Sequence, residues 1–301
     1  MKGCARTCLL QFVGWVVLSG GFYYYFRGLG GPDEAQLYWA SVGAGLFVMA
    51  SILWSVGIFQ AWRERASLKD AISGAPPRDG EWVAVSGRIQ SMDAMKAPLS
   101  GESVVAYEYK IWRREGSGKS SMDVTLFSGK ALVPSTIATR HGSVRLLAVP
   151  AFTDLSPAPL DHMRASENAR EYIATTQFET SDTPKDQRTV MDHELADDDG
   201  NFRVDKRPVF RDVDPRDCLL EERHIRQGEA VCAFGLYSQQ RGGIIPHPNW
   251  AKHTRLMRGD GENVSQQLGS RIIKYAFGVV IFAALAYGVF YLYSSYVAKM
   301  A

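Results

Sequence analysis

Cysteine is scarce in this chain, with four residues in 301 and none in CxxC spacing. That excludes a disulfide framework and a zinc ribbon. Cys4 and Cys8 lie beside the first apolar run, as idle thiols or as lipidation sites at a membrane interface. Cys218 and Cys232 lie in the polar middle and are expected to be free thiols. A surplus of either charge is missing too. Lys and Arg number 34 against 32 Asp and Glu, a net +2, which excludes an acidic tail and a broadly basic nucleic-acid binder. No G-x-S-x-G, Walker A or G-x-G-x-x-G motif occurs in its required context, and His193-Glu194 lacks the second His of HExxH. Catalytic, cofactor-binding and metal-ligating residues are therefore expected to be none.

Charge is also absent locally. Residues 9–26, 37–59 and 275–293 contain no Asp, Glu, Lys or Arg. A spanning helix needs about 20 mostly apolar residues, so three transmembrane helices are expected. The aromatic end of the first run, Phe22 to Phe26, resembles an interfacial belt and argues against a cleaved signal peptide. No ionisable residue interrupts a run, so an ion pathway has no carrier. Ser41-x-x-x-Gly45 and Ala284-x-x-x-Gly288 read as ordinary small residues facing lipid or a neighbouring helix.

The basic residues fall on alternate sides of these runs. Lys2 and Arg6 precede the first; Arg63, Arg65, Lys69 and Arg78 follow the second; Lys252, Arg255, Arg258, Arg271 and Lys274 precede the third. The other side holds only Arg27 and Lys299. Eleven against two places the N-terminus and residues 60–274 in the cytoplasm by the positive-inside rule. The expected order is a cytoplasmic N-terminus (1–8), a span (9–26), an external loop (27–36) and a second span (37–59). A linker helix and turn (60–79), a β-rich cytoplasmic domain (80–257), a linker (258–274), the third span (275–293) and an external tail (294–301) follow.

The 60–274 stretch is long enough for one sizeable core or two small ones. Residues 61–75 continue the second helix until Gly74, Pro76 and Pro77 break it. Residues 82–89, 103–112, 123–127, 144–149 and 230–237 have strand patterns, and 103–112 alternates as an antiparallel strand does. Gly116-Ser117-Gly118 reads as a turn, and Asp199-Gly200 before residues 201–204 reads as a hairpin signal. One helix is expected in 160–176. The fold class is thus a helical membrane protein with a β-rich soluble domain carrying a small helical insert. Residues 80–87 also echo 228–235, with Gly, Glu, Val and Gly matching, which a turn feeding a strand explains without duplication.

His247 and His253 have no neighbouring third and fourth ligand, and read as surface histidines. Asp192, Glu194, Asp197, Asp198 and Asp199 crowd before Gly200, but Leu195 occupies the place of a calcium loop's first ligand. A solvated acidic hairpin is the expectation there.

Five segments together resemble the GIDE domain, also called BAM (beside a membrane), known from mitochondrial ubiquitin ligase activator proteins and bacterial relatives. They are residues 85–89, 97–107, 198–205, 221–229 and 231–237. Within them Gly87, Pro98, Leu99, Ser100, Gly101, Val104, Tyr107, Asp199, Gly200, Gly228 and Gly235 stand at the family-motif and loop positions. The resemblance implies a membrane-anchored interaction or scaffold module that binds a protein, a peptide or a membrane partner, with no nucleic acid and no cofactor. It also raises two alternatives, an E3 ubiquitin-ligase-type transferase or its adaptor, and a membrane-remodelling protein. A RING finger needs eight Cys/His ligands, and the segment after Tyr293 supplies none. Ligase chemistry is therefore not expected, and the chain looks like a bacterial member in the cytoplasmic membrane. Pro98-Leu99-Ser100-Gly101 reads as a hairpin connection, or as a tight loop where a ligand could meet backbone.

Overall fold

A computed structural model describes residues 2–29, 34–116, 121–140, 142–152, 154–180, 200–208, 213–247 and 253–300, with backbone alone for residues 2–10, 180 and 300. Helices α1 (Lys2–Gly28) and α2 (Glu34–Ser73) come first. Strands β1 (Trp82–Ser91), β2 (Met95–Lys96), β3 (Ser103–Val104), β4 (Ala106–Glu115), β5 (Met122–Leu132), β6 (Ser135–Thr139) and β7 (Gly142–Leu146) follow. Helix α3 (His162–Thr175) precedes β8 (Glu179–Thr180), β9 (Phe202–Arg207), β10 (Leu219–Ile225), β11 (Ala230–Ser238), β12 (Gly243–Ile245) and β13 (Arg255–Arg258). Helix α4 (Gly261–Met300) is last. The chain divides into two compact units, Met1–Ala66 with Gln266–Ala301, and Ser67–Ser265.

The first unit is helical, and each charge-free run lies inside one of its helices. Among the described residues, α2 and α4 are long and apolar enough to cross a membrane. Their most apolar stretches are only 11% and 6% covered by the protein itself, leaving large side chains such as Phe59, Phe277 and Leu292 outside. Aromatic rings pack the helices together: Trp54 meets Tyr275 edge-on at 5.6 Å, and Phe26 meets Tyr293 at 4.6 Å. Close approach falls partly where the small-residue spacing pointed. A Cβ on Gly45 would strike Ser19 of α1, whereas Gly288 has open space around it. The tightest glycine is Gly278, whose missing side chain leaves room for the Trp54 ring.

The second unit holds a small closed barrel and a five-stranded sheet. The barrel runs β1-β6-β7-β12-β11 and closes because β11 also pairs with β1. Val85, Ile89, Ile137, Leu146, Val231, Ala233 and Ile244 fill it. The β1–β11 ribbon explains the sequence echo as a local two-fold. At one end Gly80 N–H donates to the Tyr237 carbonyl and Tyr237 N–H to Glu81. At the other, Gly228 N–H donates to Ile89 and Ile89 N–H to Glu229. Both glycines have positive φ, +72° and +80°, so each turn needs a residue without Cβ. Beyond the ribbon, β1 leaves for β6 and β11 leaves for β12. At each departure sits a glycine, Gly87 or Gly235, where a Cβ would strike the new partner.

The sheet order is β10-β4-β5-β9-β8, with α3 against one face. The strand expected over 103–112 is divided at Val105, which turns its N–H to Ile225 and its carbonyl to Val133. The expected strand over 144–149 ends at Leu146, although Leu147 N–H still reaches the Ile244 carbonyl. A bulge between Ile111 and Trp112 sets one residue of β4 against two of β5, which lets consecutive Leu126 and Phe127 both be buried. The helix expected in 160–176 is α3, capped by Asp161, whose carboxylate accepts the Met163 N–H. It buries only Ala165, Ser166 and Ala169, small residues that let its axis lie close to the sheet. The acidic run and Asp199 of the hairpin signal fall on residues 192–199, outside the described residues, while Gly200 is described; Phe202–Arg207 beyond it is a strand paired with β5 and β8.

Cys218 is buried in the sheet's α3-side core, and Cys232 in barrel strand β11; both are free thiols. Burial pushes the Cys218 thiol up and that of Cys232 up to about 11. Iodoacetamide at mildly alkaline pH is therefore expected to label neither in the folded protein and both in denaturant, since only an accessible thiolate reacts. Mass spectrometry showing rapid native labelling of Cys232 would contradict this packing.

Candidate functional site

The loop Pro98-Leu99-Ser100-Gly101 closes the β2–β3 hairpin, as one of its two readings expected. Gly101 has φ +71° and donates its N–H to the Ala97 carbonyl at 3.1 Å. The amides inside the loop are not open to a ligand. Leu99 N–H donates to Glu222 Oε2 at 2.7 Å, and Ser100 N–H is shared between both Glu222 oxygens at 3.3 Å. Asn168 of α3 donates to the Leu99 carbonyl at 2.8 Å. Leu99 is fully buried, which pins the loop from below.

Glu222 is itself fully buried on β10, and a buried carboxylate is tolerated only when its oxygens are hydrogen-bonded. Its remaining partner is His224 Nδ1, 3.1 Å from Oε1. The other ring nitrogen of His224 lies 3.1 Å from Glu102 Oε2, and Glu102 is gripped by both arms of Arg226 at 2.6 and 2.8 Å. Residues 222, 224 and 226 are alternate positions of one strand and its exit, so they project to one face. The Arg226 guanidinium holds the Glu102 carboxyl below its ordinary range. A line of hydrogen-bonded polar side chains thus runs from solvent at Arg226 to the buried amides of the loop.

Beside it lies a cluster of phenols. Asp205, 5% exposed, accepts Tyr109 Oη at 2.9 Å and Tyr172 Oη at 2.8 Å, while its other oxygen meets Arg203 Nε at 2.9 Å. Tyr107 Oη lies 2.9 Å from Tyr172 Oη. Burial, reinforced by Tyr172 at Tyr107 and by the Asp205 charge at Tyr109, pushes both phenols far above their ordinary range. They are neutral donors. Gly129 makes the arrangement possible, since a Cβ there would come 2.5 Å from Asp205 Oδ1 and 2.6 Å from the Tyr109 ring.

The phenol cluster and the hairpin that Glu222 ties down border a cleft of about 370 Å³ between the β2–β3 hairpin and α3. Lys96, Pro98, Tyr107, Glu171, Tyr172 and Arg203 line it. Its lining offers both charges, hydroxyl groups and an apolar proline face, which suits a segment of polypeptide better than a single charged group.

Of the residues singled out from sequence, Pro98 and Tyr107 line this cleft, Leu99, Ser100 and Gly101 complete the loop beside it, and Val104 lies in the buried core beneath. Gly87, Gly228 and Gly235 lie instead on the barrel ribbon. Gly200, φ +91°, precedes β9 and lies against the Leu146 carbonyl; Asp199 is outside the described residues. His247 packs edge-on against Trp82, and residues 248–252 between it and His253 are outside the described residues. Glu102, Tyr109, Tyr172, Arg203, Asp205, Glu222 and His224 were not singled out as site residues. In a run such as Glu221-Glu222-Arg223-His224, no pattern tells the buried carboxylate from its exposed neighbours.

The fold and site define a β-barrel joined to a helix-covered sheet that holds a rigid loop beside a cleft, within a chain carrying two long apolar helices. No family model, no curated protein and no solved structure matches this chain.

Proposed function

We propose that this chain is a membrane-anchored interaction module of the GIDE/BAM type, which captures a polypeptide segment of another protein in the cleft beside Pro98. In this reading α1 is a third span, and the N-terminus and β-rich domain face the cytoplasm of a bacterial cell. The observation that carries it is the loop itself. Its amides are held by a fully buried carboxylate, so the cleft wall is pre-organised before any partner arrives. Eleven basic residues against two support the orientation, and the apolar surface of α2 and α4 supports the anchoring.

A photoreactive residue at Thr175, which lines the cleft, is expected to give a discrete cross-linked protein adduct in cells. The adduct should weaken at least tenfold with Lys96→Glu together with Glu171→Lys. The same probe at Gln240, in the β11–β12 turn, should give none. Equal adducts at both positions, or an adduct indifferent to the charge reversal, would refute capture in the cleft. Alkaline phosphatase fused after Gly259 should be inactive in intact cells; an active fusion overturns the orientation.

A further inference from the structure

The sheet has a second face, turned away from α3, and its register brings cations together there. Across β10, β4, β5 and β9 one row reads Glu221, Lys110, Ser128, Lys206, and the next reads Arg223, Glu108, Lys130, Val204. In the second row one carboxylate stands between two cations, and Glu221 of the first row completes their pairing. Glu108 accepts Lys130 at 3.0 Å and Arg223 at 3.4 Å, and Arg223 also reaches Glu221 at 2.5 Å. Glu108 and Glu221, the carboxylates beside Lys110 on this face, are therefore spent on Lys130 and Arg223, and Glu179 of β8 stands in register with Lys206.

Lys110 and Lys206 have no carboxylate partner among the described residues. Lys110 Nζ lies over the Trp112 ring at 5.3 Å, a contact that leaves its donors open. The two lysines flank Ser128 on adjacent strands. Strands lie about 4.8 Å apart, so their Cα atoms are roughly 10 Å apart, a span two lysine side chains can close over one anion. The bulge in β5 brings Thr125 to this face as well, adding a second hydroxyl near Ser128.

These groups line a cleft of about 420 Å³ together with the ion-paired Glu108, Lys130, Glu221 and Arg223, and Val149, Phe202 and Val204 give it an apolar wall. Small-ligand sites are commonly of that size, mostly apolar with a few convergent polar groups. Two unpaired ammonium groups and two hydroxyls suit a tetrahedral, multiply charged anion. A carboxylate would use only part of that set. The apolar wall suits an organic body attached to the anion.

We infer that this cleft is a phosphate-binding site, with Lys110 and Lys206 holding the phosphate over Ser128 and the apolar wall holding the group that carries it. The phosphate can come from a soluble phosphomonoester or from a lipid headgroup, and the chemistry of recognition is the same.

The test uses the full chain in a maltoside detergent, which has no phosphate. Inorganic phosphate and glycerol 3-phosphate are titrated while phosphorus NMR line widths are followed. Both signals are expected to broaden, with affinity falling about tenfold for each of Lys110→Gln and Lys206→Gln. Lys110→Arg with Lys206→Arg should keep binding, and thermal melting should shift little in all variants because neither lysine makes an ion pair among the described residues and the Lys110–Trp112 contact is worth only about 1 kcal/mol or less. A second arm compares bilayer discs of phosphatidylcholine with and without phosphatidate. Competition by phosphatidate against glycerol 3-phosphate identifies the lipid source, and its absence identifies the soluble one. No broadening at millimolar phosphate, or binding unaltered in the double Gln variant, overturns the inference.

Discussion

Glu222→Ala is expected to lower the stability of the β-rich unit by about 3–5 kcal/mol, the usual cost of removing one partner from a buried, hydrogen-bonded charge. The carboxylate leaves behind the Leu99 and Ser100 N–H groups and His224 Nδ1, all of which lose their hydrogen-bond partner. Water cannot replace it cheaply, because the side chain has no exposed surface. In a domain of this size the loss corresponds to a drop of about 10 °C in melting temperature. Cross-linking from the cleft should disappear at temperatures where the variant is still folded, because the loop loses its tether first. Glu222→Gln separates charge from geometry. Its amide oxygen can keep the Leu99 N–H, while its NH₂ turns to His224 Nδ1 and Nε2–H donates to Glu102. That variant should lose only about 1 kcal/mol and keep its cross-link. Calorimetry showing equal losses for Ala and Gln would mean that the loop does not depend on these hydrogen bonds.

Gly87→Ala is expected to cost roughly 3 kcal/mol, and Gly235→Ala only about 1 kcal/mol, although the two glycines occupy equivalent places in the ribbon. The difference lies in what each Cβ would meet. At Gly87 it is the backbone carbonyl of Ala138 on β6, which cannot withdraw without opening the barrel. At Gly235 it is the γ2 methyl of Ile244, a side-chain group that can yield by a χ1 change. Ile244→Leu, which has no second methyl on Cβ, should therefore rescue Gly235→Ala, and no single side-chain change should rescue Gly87→Ala. Denaturant titrations of the two variants measure the contrast directly. A larger loss at Gly235 would show that the ribbon's two-fold breaks down at its ends.

Local chemistry was enough to determine the helices and most strand positions. Charge-free runs of about 20 residues have no stable alternative to a helix in an apolar phase, and α1, α2 and α4 each contain one. Alternation and turn residues located β1, β4, β5 and β11, and Gly74 ends α2 with φ +82° where the glycine and two prolines announced a break. The hairpin at Pro98 to Gly101 was legible for the same reason, since it depends on neighbours within a few residues.

Closure of the barrel was decided only by tertiary structure. It requires β1 to pair with β11, strands far apart in sequence, and the echo that marks their two ends looked like nothing more than two turns. The site was decided the same way. Glu222 lies 123 positions from the Leu99 amide it accepts, and Asp205 lies 96 from Tyr109. A carboxylate's burial is set by whether the fold delivers donors to it, and no local pattern in Glu221-Glu222-Arg223-His224 carries that information. The unpaired state of Lys110 and Lys206 is equally non-local, because it follows from which strands lie beside them and where the neighbouring carboxylates are already engaged.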